Sequence, residues 1–312
     1  MRSATKRIYL ISLVIADHET THKFIHELEE AAKRGVEVVV AADIFTFGEV
    51  SGGFLPLRYY SPGARETNRM VRTLKRSGVR FAWLGRARIT LFNGRTHSKW
   101  CVIDDTIFSF GGVNLYGEGI DSVDYMFRLT DPKLASRLVE EQKRIQTAER
   151  RSSNYSSVAY EYGKSTILID GGIIGQSVIY RRACELAEKA VHITFVSQYC
   201  PTGKLSRILK KKITKDQVDL YFNRPQQADG LNRLVLRIAL LATGLKTQYK
   251  KARYLHAKTI IFTMKSGKKI AITGSHNFAY TGVLLGTREI AMETSDPDII
   301  SQIETFIKKE VA

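Results

Sequence analysis

The sequence predicts an α/β protein built as two similar halves, each a mixed β-sheet flanked by helices. Three observations lead there: β-branched apolar runs alternate with stretches of helical period, the order strand, helix, strand occurs twice, and a His-x-Lys pair follows in each copy. The 312 residues are 44% hydrophobic with only 6 prolines and 23 glycines, which excludes disordered and collagen-like chains. Cys101, Cys184 and Cys200 lie far apart with no Cys or His beside them, so neither a disulfide framework nor a structural zinc site is supported. A reducing, cytoplasmic setting fits that usage.

Along the first half, residues 7–15 form an apolar run of strand character. A helical stretch ending at Gly35 and the β-branched run 36–40 follow. The basic start, residues 1–7, ahead of apolar residues 8–16 copies the outline of a signal peptide, but no small-residue cleavage site follows. The second half repeats the order with a strand at 190–199, a helix from Gly203 and a strand at 218–222. Ahead of that copy lie a strand at 166–170 and a helix at 175–189 that have no counterpart before Ile8. The first half is therefore expected to begin partway through its own repeat, by family variation or a truncated start. The polar, turn-rich stretch 149–157 is the linker, giving domains 1–155 and 156–312. No uninterrupted apolar stretch reaches the roughly 18 residues that a membrane span needs, so membrane contact is expected to be peripheral.

Lys and Arg number 48 against 31 Asp and Glu, a net charge of +17. The excess is concentrated: 10 cations against one acid between Arg65 and Lys99, and 17 against 3 between Lys204 and Lys269. Such segments are either a solvated surface or a basin for an anionic partner, and charge alone does not choose between DNA and lipid.

The duplication is sharpest at two motifs. In Thr96-His97-Ser98-Lys99-Trp100 the two-residue spacing within a β-like run projects His97 and Lys99 onto one face. The pattern returns 159 residues later at His256 and Lys258, and each copy is trailed by a Gly-rich turn and an asparagine, Gly112 to Asn114 and Ser275 to Asn277. Seven histidines would give roughly half an accidental His-x-Lys; two in matching contexts point to function.

With these residues in view the sequence resembles the phospholipase D superfamily, whose mark is HxKxxxxD followed by a Gly-rich turn and Asn, once in each half. His97, Lys99, Asp104 and Asn114 fit in full. The second copy supplies His256, Lys258, Ser275 and Asn277 but holds Thr263 at the Asp position, and residues 264–269 lengthen its hairpin. The resemblance implies two halves related by a pseudo-twofold axis with the site where the two His-x-Lys strands converge. It also implies that the motif aspartate braces the strand, while a later carboxylate in each half, Asp124 and Glu289, hydrogen-bonds a histidine and orients it. The catalytic set so implied is His97, Lys99, Asp104, His256 and Lys258, with Gly112, Asn114, Ser275 and Asn277 against the substrate.

The chemistry follows from the residue types. A phosphodiester repels nucleophiles, so Lys99, Lys258 and the two asparagines are expected to gather its charge, with no cofactor and no metal required. One imidazole attacks phosphorus and the other serves as acid and base; the resemblance gives attack to His97 and proton transfer to His256. Features at 111–115, 123–129 and 198–201 resemble cardiolipin synthases and related phosphatidyltransferases more than nucleases, so a phospholipid substrate at an anionic membrane surface is expected. Nucleic acid is the second choice, and a non-catalytic anion binder the third.

Two apolar elements bear on that surface. The stretch 51–60, with Phe54, Leu55, Leu57, Tyr59 and Tyr60, suits a lipid-entering loop and core packing equally. Residues 230–245 carry Arg233 and Arg237 on one stripe; the pattern predicts a buried helix with two snorkelling arginines ahead of a helix lying on a membrane. His18, His22 and His26 recur at i, i+4, a spacing that can hold a metal, but no acidic or cysteine partner completes an evident site and they are expected on a polar helix face. His276, beside Asn277, is a candidate for substrate contact outside the motif, and Cys101 is expected in the core.

Overall fold

A computed structural model of the chain describes residues 1–52, 61–85, 94–228 and 230–312. They group into two compact units. The first holds residues 1–109, 113–121 and 126–155, the second 110–112, 122–125 and 156–312. Of the stretch 51–60 singled out above, Phe54, Leu55, Leu57, Tyr59 and Tyr60 lie outside the described residues.

The first unit opens with β1 (Arg7–Ser12), α1 (Glu19–Lys33) and β2 (Glu37–Asp43). The short α2 (Thr46–Glu49), then α3 (Pro62–Arg76) and β3 (Arg80–Leu84) follow. The hairpin β4 (Trp100–Ile103) and β5 (Thr106–Ser109), the short α4 (Gly117–Asp121), β6 (Phe127–Thr130) and α5 (Pro132–Arg150) complete it. The sheet runs β3-β2-β1-β4-β5-β6. Its first three strands are parallel and the rest antiparallel. β1 and β2, in its interior, are buried along nearly their whole length, which is why they read as continuous apolar runs rather than alternating ones.

Helix ends are set by residue chemistry. Ser61 and Asp131 accept the N3 amides of α3 and α5, each with proline in the first turn. The ring of His18 caps α1, and His22 Nδ1 lies 2.9 Å from Asp17 Oδ1 on the exposed side of the same helix. α1 buries Thr21, Ile25, Leu28 and Ala31, the three-and-four spacing of one helical face.

In the second unit, β7 (Val158–Tyr162) and β8 (Ser165–Gly171) precede α6 (Val178–Lys189), β9 (His192–Val196), α7 (Gly203–Ile213) and β10 (Val218–Tyr221). Then come α8 (Gly230–Thr243), β11 (Thr259–Thr263), β12 (Lys269–Gly274), α9 (Tyr280–Leu285), β13 (Arg288–Thr294) and α10 (Pro297–Phe306). The sheet order is β10-β9-β11-β12-β13-β8-β7, with β9 and β10 parallel and the remaining pairs antiparallel. β10-β9-β11-β12-β13 thus repeats the order and sense of β2-β1-β4-β5-β6. The strand without a first-half counterpart, β8, pairs with β13 over seven residues; the first sheet stops at β6. Among the described residues β3 has no counterpart in the second sheet, where α8 lies between β10 and β11. α3 and β3 escaped the sequence because six of the fifteen residues of α3 are Arg, Lys or Glu, and only Ala64, Thr67, Met70, Val71 and Leu74 mark its buried face.

Beside the first motif, Trp100 is fully buried and its Nε1–H donates to Gln142 Oε1 at 3.1 Å. Gln142 Nε2 in turn donates to the Leu10 carbonyl at 3.0 Å, so one buried amide ties the motif strand to α5 and β1. Replacing Gln142 by Met should leave the indole N–H buried and unpaired at a cost of about 1–3 kcal/mol. Calorimetry should show melting lowered by about 2–4 °C for each of those kcal/mol.

Candidate active site

Each motif occupies the extended segment just before a strand, His97 and Lys99 ahead of β4, His256 and Lys258 ahead of β11. Both histidines keep some exposure while the residues between and after them turn into the core: Ser98 and Trp100 in one copy, Ala257 and Thr259 in the other, are buried. The lysines are almost wholly enclosed, Lys99 at 1% and Lys258 at 2% exposure. Each curls back to donate to the carbonyl of its own motif histidine, Lys99 Nζ to His97 at 2.9 Å and Lys258 Nζ to His256. The ammonium therefore fixes the backbone from which the imidazole projects.

Asp124 lies in the second unit, and its Oδ2 accepts the Nδ1–H of His256 at 2.7 Å. Its Oδ1 accepts the amides of Gly112 at 3.1 Å and Tyr125 at 2.8 Å. Burial pushes this carboxyl up, but the hydrogen bond and charge of His256, the charge of Lys258 and the Tyr125 amide outweigh it and hold Asp124 below the usual carboxylate range. Asp124 is thus an anion at neutral pH. It keeps the proton on Nδ1 and leaves Nε2 for chemistry. A Cβ on Gly112 would stand 2.6 Å from Asp124 Oδ2, 2.7 Å from Lys258 Nζ and 2.8 Å from the His256 carbonyl, so only glycine fits this turn.

Two further residues align the motifs. Asp43, ending β2, accepts the Thr96 amide at 3.1 Å and Arg95 Nη1 at 2.8 Å. Asn223, just beyond β10, accepts the Leu255 amide at 2.8 Å and donates to the Leu255 carbonyl at 2.7 Å. Thr96 and Leu255 each precede the motif histidine, and the strand registers make Asp43 and Asn223 equivalent. The only sequence signal for them was a polar residue closing each apolar run.

The family described as cardiolipin synthase, PLD-like domain, matches residues 1–146 and 181–310. The chain belongs to that family. It is thereby a phospholipase D-superfamily protein, in a group of phosphodiesterase and phosphatidyltransferase enzymes. The unmatched residues 147–180 contain β7 and β8, the strands absent from the first sheet. Among solved structures, a phosphatidylserine synthase from Haemophilus influenzae Rd KW20 is similar at a TM-score of 0.68 and 14% identity, over 100% of this chain and 83% of that one. A polyphosphate kinase from Porphyromonas gingivalis is similar at 0.60 and 13% identity over 97% of this chain, which spans 45% of that protein's length. No curated protein sequence matches the chain. These likenesses establish the fold.

In this PLD-like chain the remaining candidates divide by their contacts. Asp104 belongs with the scaffold rather than the reacting groups. Its carboxylate accepts the amides of Thr5, Lys6 and Arg7 at 3.0, 2.8 and 3.0 Å and so braces the start of β1. Burial raises its pKa, and these backbone donors more than reverse the effect. Thr263 replaces that brace with an added rung, pairing with His192 while its carbonyl accepts the Val191 amide at 2.8 Å.

Asn114 Oδ1 and Asn277 Oδ1 are buried without a hydrogen-bond partner among the described residues. Whichever way each amide is turned, it retains bonding capacity that the protein does not use. Ser275 Oγ donates to Glu289 Oε2 at 2.5 Å and accepts the Ile290 amide at 3.0 Å. His276 is a core residue, contrary to its candidacy for substrate contact. It is 2% exposed, stacks edge-on against Phe278 and accepts the Phe278 amide, and burial pulls its pKa down to about 3. Cys101 is buried and burial pushes its thiol up to about 12. Among the described residues no group of three or more His, Cys, Asp or Glu is arranged to hold a metal ion.

Gly112→Ala should lower kcat by at least about tenfold by displacing Asp124 and Lys258. Steady-state rates with a melting curve as control measure it. Asp124→Asn should cost on the order of 100- to 10,000-fold in kcat by loss of tautomer control. Because the folded pKa of Asp124 is depressed, its stabilisation is complete above the unfolded value of about 4 and is lost as pH falls through the folded one. Denaturation of wild type against Asp124→Asn across pH 2–6 should show the two converging only in acid.

Proposed function

We propose that the protein is a phosphatidyltransferase acting on phospholipid phosphodiesters, cardiolipin synthase-like, moving a phosphatidyl group from phosphatidylglycerol to an alcohol acceptor. The observation that carries this is the ionised Asp124 on His256 Nδ1 with the buried Lys258 behind it, in a chain that repeats His-x-Lys at His97 and Lys99. An imidazole held in that way is equipped to give and take a proton at Nε2. Support for lipid over nucleic acid comes from the matching family's description and the fold shared with a phosphatidylserine synthase.

In the proposed reaction His97 Nε2 forms a bond to phosphorus as the bond from phosphorus to the glycerol oxygen breaks. The His256 imidazolium gives its proton to that oxygen and glycerol leaves. The acceptor hydroxyl then loses its proton to His256 and attacks the phosphohistidine, which frees His97. Lys99, Lys258, Asn114 and Asn277 draw the charge off the non-bridging oxygens, and Asp124 stabilises the His256 imidazolium that enters the first step and is re-formed by the second.

Incubation with phosphatidylglycerol vesicles under chelator should release glycerol and form a transfer product, with plasmid DNA left intact in a parallel reaction. Cut DNA with untouched lipid would overturn the assignment. His97→Ala and His256→Ala should each lose on the order of 100- to 10,000-fold in rate. Phosphatidyl-p-nitrophenol, whose leaving group needs no proton, separates their roles: it should restore first-step turnover in His256→Ala and leave His97→Ala inactive.

A further inference from the structure

α8 departs from the buried helix that its sequence predicts. Its inner face packs Leu236 and Ala239 into the core of the second unit, with Leu245 just beyond its end. Its outer face carries Leu234, Ile238 and Leu241 at i, i+4 and i+7, with 52%, 57% and 86% of their surface exposed. That spacing lines all three along one stripe. Among the described residues they are three of the ten exposed large hydrophobics, gathered on a single helix.

The stripe is bordered by cations. Arg237 is exposed on the turn between Leu234 and Ile238, and Lys246 and Lys250 are exposed beyond the end of the helix. Lys210 of α7 reaches that end, its Nζ donating to the Thr243 carbonyl at 3.2 Å. Neither α7 nor α8 contains an acidic residue, and α7 adds the exposed Arg207 and Lys211, while Lys204 pairs with Glu188 and Lys212 donates to the Ala190 carbonyl. The helix is held in place at both ends: Tyr199 donates to Asn232 near its start, and Cys200 Sγ lies 3.3 Å from Thr243 Oγ1 at its close.

We infer that α8 is an interfacial docking helix for an anionic phospholipid bilayer, seating Leu234, Ile238 and Leu241 below the headgroups while Arg237, Lys246, Lys250 and, from α7, Arg207 and Lys211 meet lipid phosphates. A fixed helix with an apolar stripe and a cationic border matches that interface. A nucleic-acid backbone would reward the cations and leave the leucines in water. A second copy of this chain would bring like charge against like charge around the same stripe. The inference extends the phospholipid reading of the active site from substrate to surface, and binding is measured without turnover.

The test is flotation of the full chain with vesicles of phosphatidylcholine alone or with about one-third phosphatidylglycerol at moderate salt. Wild type should bind the anionic vesicles and not the neutral ones. The variant Leu234→Ser/Ile238→Ser/Leu241→Ser should bind at least about tenfold more weakly. Lys246→Gln/Lys250→Gln should lose about fivefold per charge. The single change Leu241→Gln, at the most exposed position, should keep the wild-type melting temperature and still weaken binding. Turnover of monomeric short-chain phosphatidylglycerol should stay within about twofold of wild type in all three variants. Undiminished vesicle binding by the triple or the single variant overturns the inference, as does wild type that binds a DNA duplex but not vesicles. Vesicle binding that follows α8 in a protein without short-chain turnover upholds the docking helix and defeats the catalytic reading alone.

Discussion

A lysine enclosed in protein has to find oxygen. Lys99 and Lys258 meet that demand at the carbonyl two residues back along their own chain, the carbonyl of the motif histidine. Burying an ammonium without partners would cost several kcal/mol, so this local bond is what allows a cation to sit at the base of each motif. It also makes the histidine backbone part of the lysine's solvation. The pitch of the imidazole, the glycine that passes beneath it and the carboxylate beside it are adjusted to a charge that is already in place.

Around that charge each unit repeats one device with different atoms. A polar residue at the end of the parallel strand next to β1 or β9 clamps the residue before the histidine: a carboxylate, Asp43, paired with Arg95 in one unit, and a neutral carboxamide, Asn223, in the other. The brace at the far end of the motif strand diverges likewise, from the Asp104 carboxylate to a backbone rung at Thr263. The second unit thus uses neither of the two carboxylates that clamp and brace the first, and Thr263 is a change of scaffold.

Much of this was legible in the residues. The repeated His-x-Lys spacing marked His97, Lys99, His256 and Lys258 as candidates, and the repeated order of strand and helix anticipated the two sheets. What escaped was set by tertiary contact. The carboxylate of Asp124 meets an imidazole 132 residues away, and no local pattern says which histidine it serves. His276 looked like part of the site because it adjoins Asn277, yet its ring lies in the core against Phe278. α8 has the composition of a buried helix, and only its surroundings show that Leu241 faces outward. Helical pattern fixes which residues share a side and is silent on whether anything covers that side.

Asp124 and Gly112 are encoded among the residues of the first repeat and are built into the second unit. A gene divided between the copies would give a trailing fragment whose imidazole had lost its anion and the glycine floor under it. Covalent continuity across the linker is therefore part of how the second imidazole keeps its anion.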